Sequence, residues 1–113
     1  MHELGILSAM LKSIEKIMEE ENLHRVEKIV LQVGELSGVI PDYLEKCFPA
    51  AIYQTNFTDT QLEIEVIEGI VRCNNCQEQF NGYRHDLICP VCGKQDLEAL
   101  SGRELLIKEI LAG

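Results

Sequence analysis

The chain has 113 residues, 19 of them acidic and 10 basic, for a formal net charge of −9. That length holds one modest core, or a small domain plus a smaller unit that needs help to fold. A composition 46% hydrophobic and 26% charged, without a low-complexity run, argues against disorder. With no lysine or arginine cluster it also argues against nucleic acid as a partner.

No apolar stretch approaches the roughly 20 residues that span a bilayer, and the first helical segment is too acidic for a signal peptide. A cytoplasmic chain with no membrane contact is expected. Residues Leu7, Met10, Leu11, Ile14, Ile17 and Met18 recur at three- and four-residue intervals. This spacing predicts an amphipathic helix from about Leu4 to Glu21 with one buried stripe. Glu3 falls in its first turn, where the helix dipole favours an acid. The β-branched run from Val26 to Leu36 predicts a strand ending near Gly34 and Gly38. Pro41 and Asp42 then start a second helix with Leu44, Cys47, Phe48 and Ala51 on one side. Pro49 should kink or restart it. Cys47 reads as a small buried residue on that face.

The alternation of Leu62, Ile64 and Val66 with Glu63 and Glu65 predicts a strand with one face in water. Between Val71 and Ser101 the apolar content is too thin for a core. It returns in Glu104–Leu111, whose length allows a short helix or a strand, with a strand preferred because the pattern suits a sheet with one face well covered. The cysteine-bearing stretch is therefore an insertion between two strands of one small α/β domain.

That stretch holds two CxxC pairs, Cys73 with Cys76 and Cys89 with Cys92, separated by 12 residues, with Pro90 and Gly93 at the second. Each CxxC turn aims two thiolates at one point, and two turns complete a tetrahedral four-sulfur shell suited to zinc. A closed shell has no open position for substrate, so such a zinc is structural. At roughly 10 to 16 kcal/mol of apparent binding free energy it can fold a unit with little core. A redox CxxC would stand alone in a βαβ setting, and an iron–sulfur cluster fits paired knuckles less well. His85, four residues before Cys89, and His24, after the first helix, read as loop residues.

The opening Met1-His2-Glu3 offers a different chemistry. An α-amine on Met1, the His2 amide nitrogen and its imidazole can close two adjoining chelate rings on one ion, with Glu3 near enough to add a donor. Planar nitrogen-rich geometry selects nickel(II) or copper(II) over tetrahedral zinc. Taken alone, a histidine at position 2 is better read as a solvated residue.

Taken together, MHE, GELSGVIPDYLEKCF, LEIE, CNNC, CPVCG and SGRELLIKEI resemble the HypA/HybF family of nickel metallochaperones over essentially the whole length. The resemblance implies an α+β fold: a small nickel-binding domain of two helices on a three-stranded sheet, residues 1–69 and 103–113, with a zinc ribbon inserted at 70–102. It implies that His2 is the nickel ligand, with Glu3 and Met1 contributing, and that Cys73, Cys76, Cys89 and Cys92 hold a structural zinc. Nickel would be transferable cargo, moved by ligand exchange and without catalysis. The implied partners are a HypB-type GTPase and the [NiFe] hydrogenase large-subunit precursor, and some relatives also serve urease maturation. Neither CxxC is flanked by histidine, so a switch of the zinc shell through such residues has no counterpart here. Linkers near Gly69 and Gly102 offer a route to a homodimer by exchange. The alternative is a zinc-ribbon adaptor that binds protein partners without delivering nickel.

Overall fold

The first helix, α1 (His2–Glu20), starts two residues earlier than the apolar pattern alone marks. The computed structural model describes residues 2–112, His2 through its backbone only. Leu7, Met10, Leu11, Ile14 and Met18 are buried as the stripe requires. Ile17 is the exception at 40% exposed. Past the helix end, Asn22 takes a left-handed conformation (φ 54°) and the Leu23 N–H donates to the Met18 carbonyl at 2.9 Å. This is a Schellman-type stop, with asparagine where glycine is commoner.

Strand β1 (Val26–Gly34) buries Ile29, Val30 and Leu31 in succession, so both its faces are covered. It is the central strand of a three-stranded sheet ordered β2-β1-β6, where β2 is Gln61–Ile67 and β6 is Leu105–Ala112. Two bonds fix how β1 and β2 run. The Thr60 hydroxyl donates to the Val26 carbonyl at 2.7 Å at their starts, and the Glu35 N–H donates to the Ile67 carbonyl at 2.9 Å at their ends. The strands are therefore parallel, and the helix between them is the crossover such a pair needs.

That helix, α2 (Pro41–Ile52), has Pro41 at its first turn, buries Leu44, Cys47 and Phe48, and packs against α1. Pro49 lies inside it, and the helix does not restart there. Pro49 and Glu45, whose carbonyl loses its donor, are both exposed, so water can satisfy that carbonyl.

Two other expectations are corrected. In β2 the alternation holds for Leu62 and Ile64 but slips at Glu65, which is half-buried, while Val66 is 55% exposed. Glu65 accepts Lys108 Nζ at 2.9 Å in an ion pair open to solvent. Strand β6 is a strand as expected, yet neither of its faces is well covered: Leu106 is 50% and Leu111 42% exposed. It is an edge strand, paired on one side only.

By contacts the chain forms two compact units: residues 2–31, 40–65 and 107–112, and residues 32–39 with 66–106. The second unit holds an antiparallel sheet ordered β4-β3-β5, from β3 (Ile70–Cys73), β4 (Gln79–Asn81) and β5 (Leu97–Ala99). Val71 faces Phe80 on one side and Ala99 on the other. Its core is small: Val71, Cys73, Phe80 and Cys89, with Leu36, Leu97 and Ala99 packed around them. Two of its four buried members are thiols of the CxxC pairs.

Candidate metal centre

Cys73 ends β3, and its N–H donates to the Glu78 carbonyl at 2.8 Å while its own carbonyl accepts Gln77 N–H at 2.8 Å. Cys89 repeats the pattern: its N–H donates to the Lys94 carbonyl and its carbonyl accepts Gly93 N–H, both at 2.9 Å. The two knuckles thus share one geometry. In each, the residue after the second cysteine is left-handed, Gly93 at φ 75° and Gln77 at φ 67°. Glycine makes that conformation easy and glutamine does not, so the sequence advertises the second knuckle more clearly than the first.

The knuckles bring the four sulfurs within 4.8 Å of one another, with Cys73–Cys92 and Cys76–Cys89 each at 3.5 Å. Four sulfurs about 2.3 Å from a zinc ion would be about 3.8 Å apart, so the cluster fits a tetrahedral metal closely. A disulfide needs about 2.05 Å, and all four thiols are free. Cys73 and Cys89 are buried, and Cys76 and Cys92 lie at the open side.

The charge balance points the same way. The Lys94 backbone N–H holds the Cys92 thiol down to about 6, helped by the Asn75 side chain. The Glu78 backbone bond favours the Cys76 thiolate, yet burial and the three neighbouring sulfurs push it up to about 12. Four thiols this close cannot all ionise against one another, and a bound dication removes the conflict. Around the cluster, Asn74 Nδ2 donates to Asp96 Oδ1 at 3.1 Å, and Arg72 pairs with Glu98.

None of the other chemistry-bearing residues joins the cluster. His85 is exposed and packs edge-on against Phe80, with ring centroids 5.6 Å apart. His24 is exposed in the turn after α1, and Cys47 is buried in α2. Glu3 lies half-buried in the first turn of α1. Met1 and the side chain of His2 lie outside the described residues. Among those residues, no second group of histidine, cysteine or carboxylate ligands converges on one point.

Sequence reasoning missed Glu35. Its Oε1 accepts the Gly69 N–H at 2.9 Å and Asn81 Nδ2 at 2.8 Å. These bonds, the Gly69 N–H first, hold its carboxyl below the usual carboxylate range against the pull of burial. Nothing in a single sequence joins residues 34 and 46 positions apart.

Fold and site together define a class: a small α+β protein with a βαβ sheet and a four-cysteine metal-binding ribbon. The family model described as HypA, hydrogenase/urease nickel incorporation, metallochaperone, matches residues 1–112. The chain belongs to the HypA family. It is 34% identical over 110 residues to the hydrogenase maturation factor HypA of Geotalea uraniireducens (strain Rf4), covering 97% of each chain. With its counterpart from Streptomyces avermitilis it shares 36% over 112 residues, 97% of this chain and 86% of that one. The solution structure of the Ni metallochaperone HypA from Helicobacter pylori has the same fold, with a TM-score of 0.67 at 19% identity over 97% of this chain and 96% of that one.

Proposed function

We propose that this protein is a nickel carrier for [NiFe] hydrogenase maturation, binding Ni(II) through Met1, His2 and Glu3 and holding a structural Zn(II) between Cys73, Cys76, Cys89 and Cys92. Residues 1–69 and 103–113 form the nickel-binding domain in this reading, and 70–102 the zinc ribbon. It works in the cytoplasm, with a HypB-type GTPase and the hydrogenase large-subunit precursor as partners.

The observation that carries the reading is the match to a nickel-incorporation family over residues 1–112, in a chain whose four converging sulfurs form a closed shell. A closed shell suits a resident metal and leaves the cargo to other donors. The first N–H groups of a helix have no intrahelical acceptor. Because α1 includes His2 and Glu3, their amide nitrogens can ionise without breaking a helical bond. Deprotonated amides and an imidazole give nickel a planar nitrogen shell, while thiolates keep the zinc. A donor set at the start of one helix can hand over its ion with few contacts broken, by ligand exchange and without catalysis.

The test is a nickel titration with absorption spectroscopy on zinc-loaded protein, as the native chain and with one glycine added before Met1. Planar-site bands in the native form, abolished by the extension and by His2→Ala with zinc content unchanged, are expected. Equal binding by both forms would overturn the N-terminal site. No tight nickel binding at all would favour an adaptor.

A further inference from the structure

Outside the sulfur cluster, the ribbon unit carries a pocket of about 410 Å³ lined by Glu35, Leu36, Gly82, Tyr83, Asp86 and Leu87. Three features of its walls have no explanation in metal binding.

The first is Leu87. Ile88 N–H donates to the His85 carbonyl at 3.0 Å, with Asp86 at φ 54° and Leu87 at φ 59° between them. This is a turn with two left-handed central residues, positions where asparagine and glycine are favoured and leucine is strained. The strain is not offset by burial, because Leu87 remains 47% exposed. Its side chain lies over Gly82, where an added Cβ would come within 3.0 Å of Leu87 Cδ2. The Leu87 N–H donates to the Gly82 carbonyl at 2.8 Å, so the turn is tied to the strand end while half of the leucine stays open on the pocket wall, a placement that backbone strain often marks at functional positions.

The second is Tyr83, 64% exposed on the same pocket. An open aromatic ring beside carboxylates is a surface for a cation and its alkyl stem.

The third is the charge. Glu35 and Asp86 line the pocket and no basic residue does. Arg84, outside the lining, faces Glu68 at 4.0 Å and acts on Glu35 through its charge alone, as the smallest of the influences on that carboxylate. Glu35 is preorganised: both of its donors bind Oε1, and Oε2 accepts no hydrogen bond among the described residues. A fixed, half-buried carboxylate with an open oxygen between apolar walls complements an amphipathic cation. An acidic segment would be repelled there.

We infer that this pocket docks a segment of a partner protein that presents an arginine or lysine side chain between apolar residues. The cation meets Glu35 and Asp86, its stem crosses Tyr83, and the flanking apolar groups cover Leu36 and Leu87. The inference goes beyond nickel binding and does not depend on it.

An acetylated and amidated leucyl-arginyl-leucine tripeptide titrated into the ¹⁵N-labelled, metal-loaded full chain tests it, against the same peptide with citrulline for arginine. Saturable shifts at the Gly82 and Leu87 amides and the Asn81 side chain are expected, with citrulline about tenfold weaker or more. Glu35→Gln keeps an oxygen for Gly69 and Asn81 and removes the charge; it should lose a similar factor and no longer distinguish the peptides. Leu87→Gly relieves the turn, so it should weaken binding while leaving thermal stability unchanged or raised. Absence of saturable binding, or equal binding of the citrulline peptide, would overturn the inference. Argininamide binding as tightly as the tripeptide would mark a small-cation site and overturn it too. A loss of stability in Leu87→Gly would show the leucine to be structural.

Discussion

Gly34 and Gly102 meet backbone to backbone: a Cβ placed on Gly34 would lie 2.1 Å from the Gly102 carbonyl oxygen. That carbonyl accepts the Leu36 N–H at 2.8 Å, and Gly34 N–H donates to the Glu104 carbonyl at 2.9 Å. Two segments far apart in sequence are knitted where neither can carry a side chain. Gly102 is also left-handed (φ 78°), and a Cβ there would lie 2.5 Å from the Glu68 carbonyl oxygen.

Gly34→Ala should therefore destabilise by about 1–3 kcal/mol or more, since the obstacle is backbone and cannot rotate away. Gly5→Ala is the control. Gly5 lies inside α1 with nothing within 4 Å of its Cβ position, so alanine should gain about 0.5–1 kcal/mol from helix propensity. Urea midpoints of the two variants against the parent measure both.

Thr60 is a buried polar residue, 6% exposed, whose hydroxyl donates to the Val26 carbonyl at 2.7 Å. Valine keeps the shape and removes the donor, leaving that carbonyl short of a partner in a dry place. Thr60→Val should cost about 1–3 kcal/mol in denaturant unfolding, and Thr60→Ser should recover part of it.

How far the sequence could be read followed from how local each signal was. The spacing of Leu7, Leu11, Ile14 and Met18 marked α1 because one turn of helix carries the pattern, and the cysteine spacing marked the knuckles for the same reason. Ile17 was misread because a stripe defined by spacing is wider than the surface that covers it. Pro49 does not restart α2, because its cost depends on whether water reaches the bereft carbonyl, a tertiary property. Phe57 is fully buried yet lies in the irregular stretch between α2 and β2. No period marks it, and it is held by Thr55 Oγ1, which accepts the Phe57 N–H at 3.1 Å. That residues 32–39 pack with 66–106 has no local signal, since it rests on Leu36 packing on the Val71–Phe80 core and on Glu35 reaching Gly69 and Asn81.

Glu35 gives the fold an acid sensitivity whose sign is fixed. Its folded carboxyl lies below the ordinary value of 4.5, so the carboxylate form favours the folded state. The contribution is complete above the unfolded pKa and disappears as pH falls through the depressed folded value. Glu35→Gln should flatten the dependence of stability on pH below about 4.5, with its loss of stability greatest near neutrality and vanishing in acid. Lys108 acts at the opposite end: its bond to Glu65 raises it above 10.5, so its contribution is present below that pH and is lost as pH climbs through the raised value. Urea midpoints measured from pH 3 to 7 for parent and Glu35→Gln decide the first case, and an acid sensitivity equal in both would refute it.

Metal removal should act on one unit far more than on the other. The ribbon's core is four residues, two of them thiols, whereas α1, β1 and α2 together bury more than ten apolar side chains. A cluster that small cannot offset the chain entropy of the ribbon without the metal, whose binding at four-thiolate sites of this kind contributes roughly 10 to 16 kcal/mol. A chelator should then abolish amide protection along β3, β4 and β5 and around Gly69, while α1 and α2 keep their helical circular dichroism. Restoring zinc should recover protection with release of protons, because thiols must ionise to bind. Cys73→Ser should mimic the chelator, since it removes a ligand and a member of the core at once. Cys47→Ser should leave metal content and ribbon protection intact, because Cys47 lies in α2 outside the cluster. Hydrogen exchange by mass spectrometry on the chelated and zinc-restored forms makes the comparison. Uniform loss of protection in α1 and the ribbon together would mean that the metal holds the whole fold.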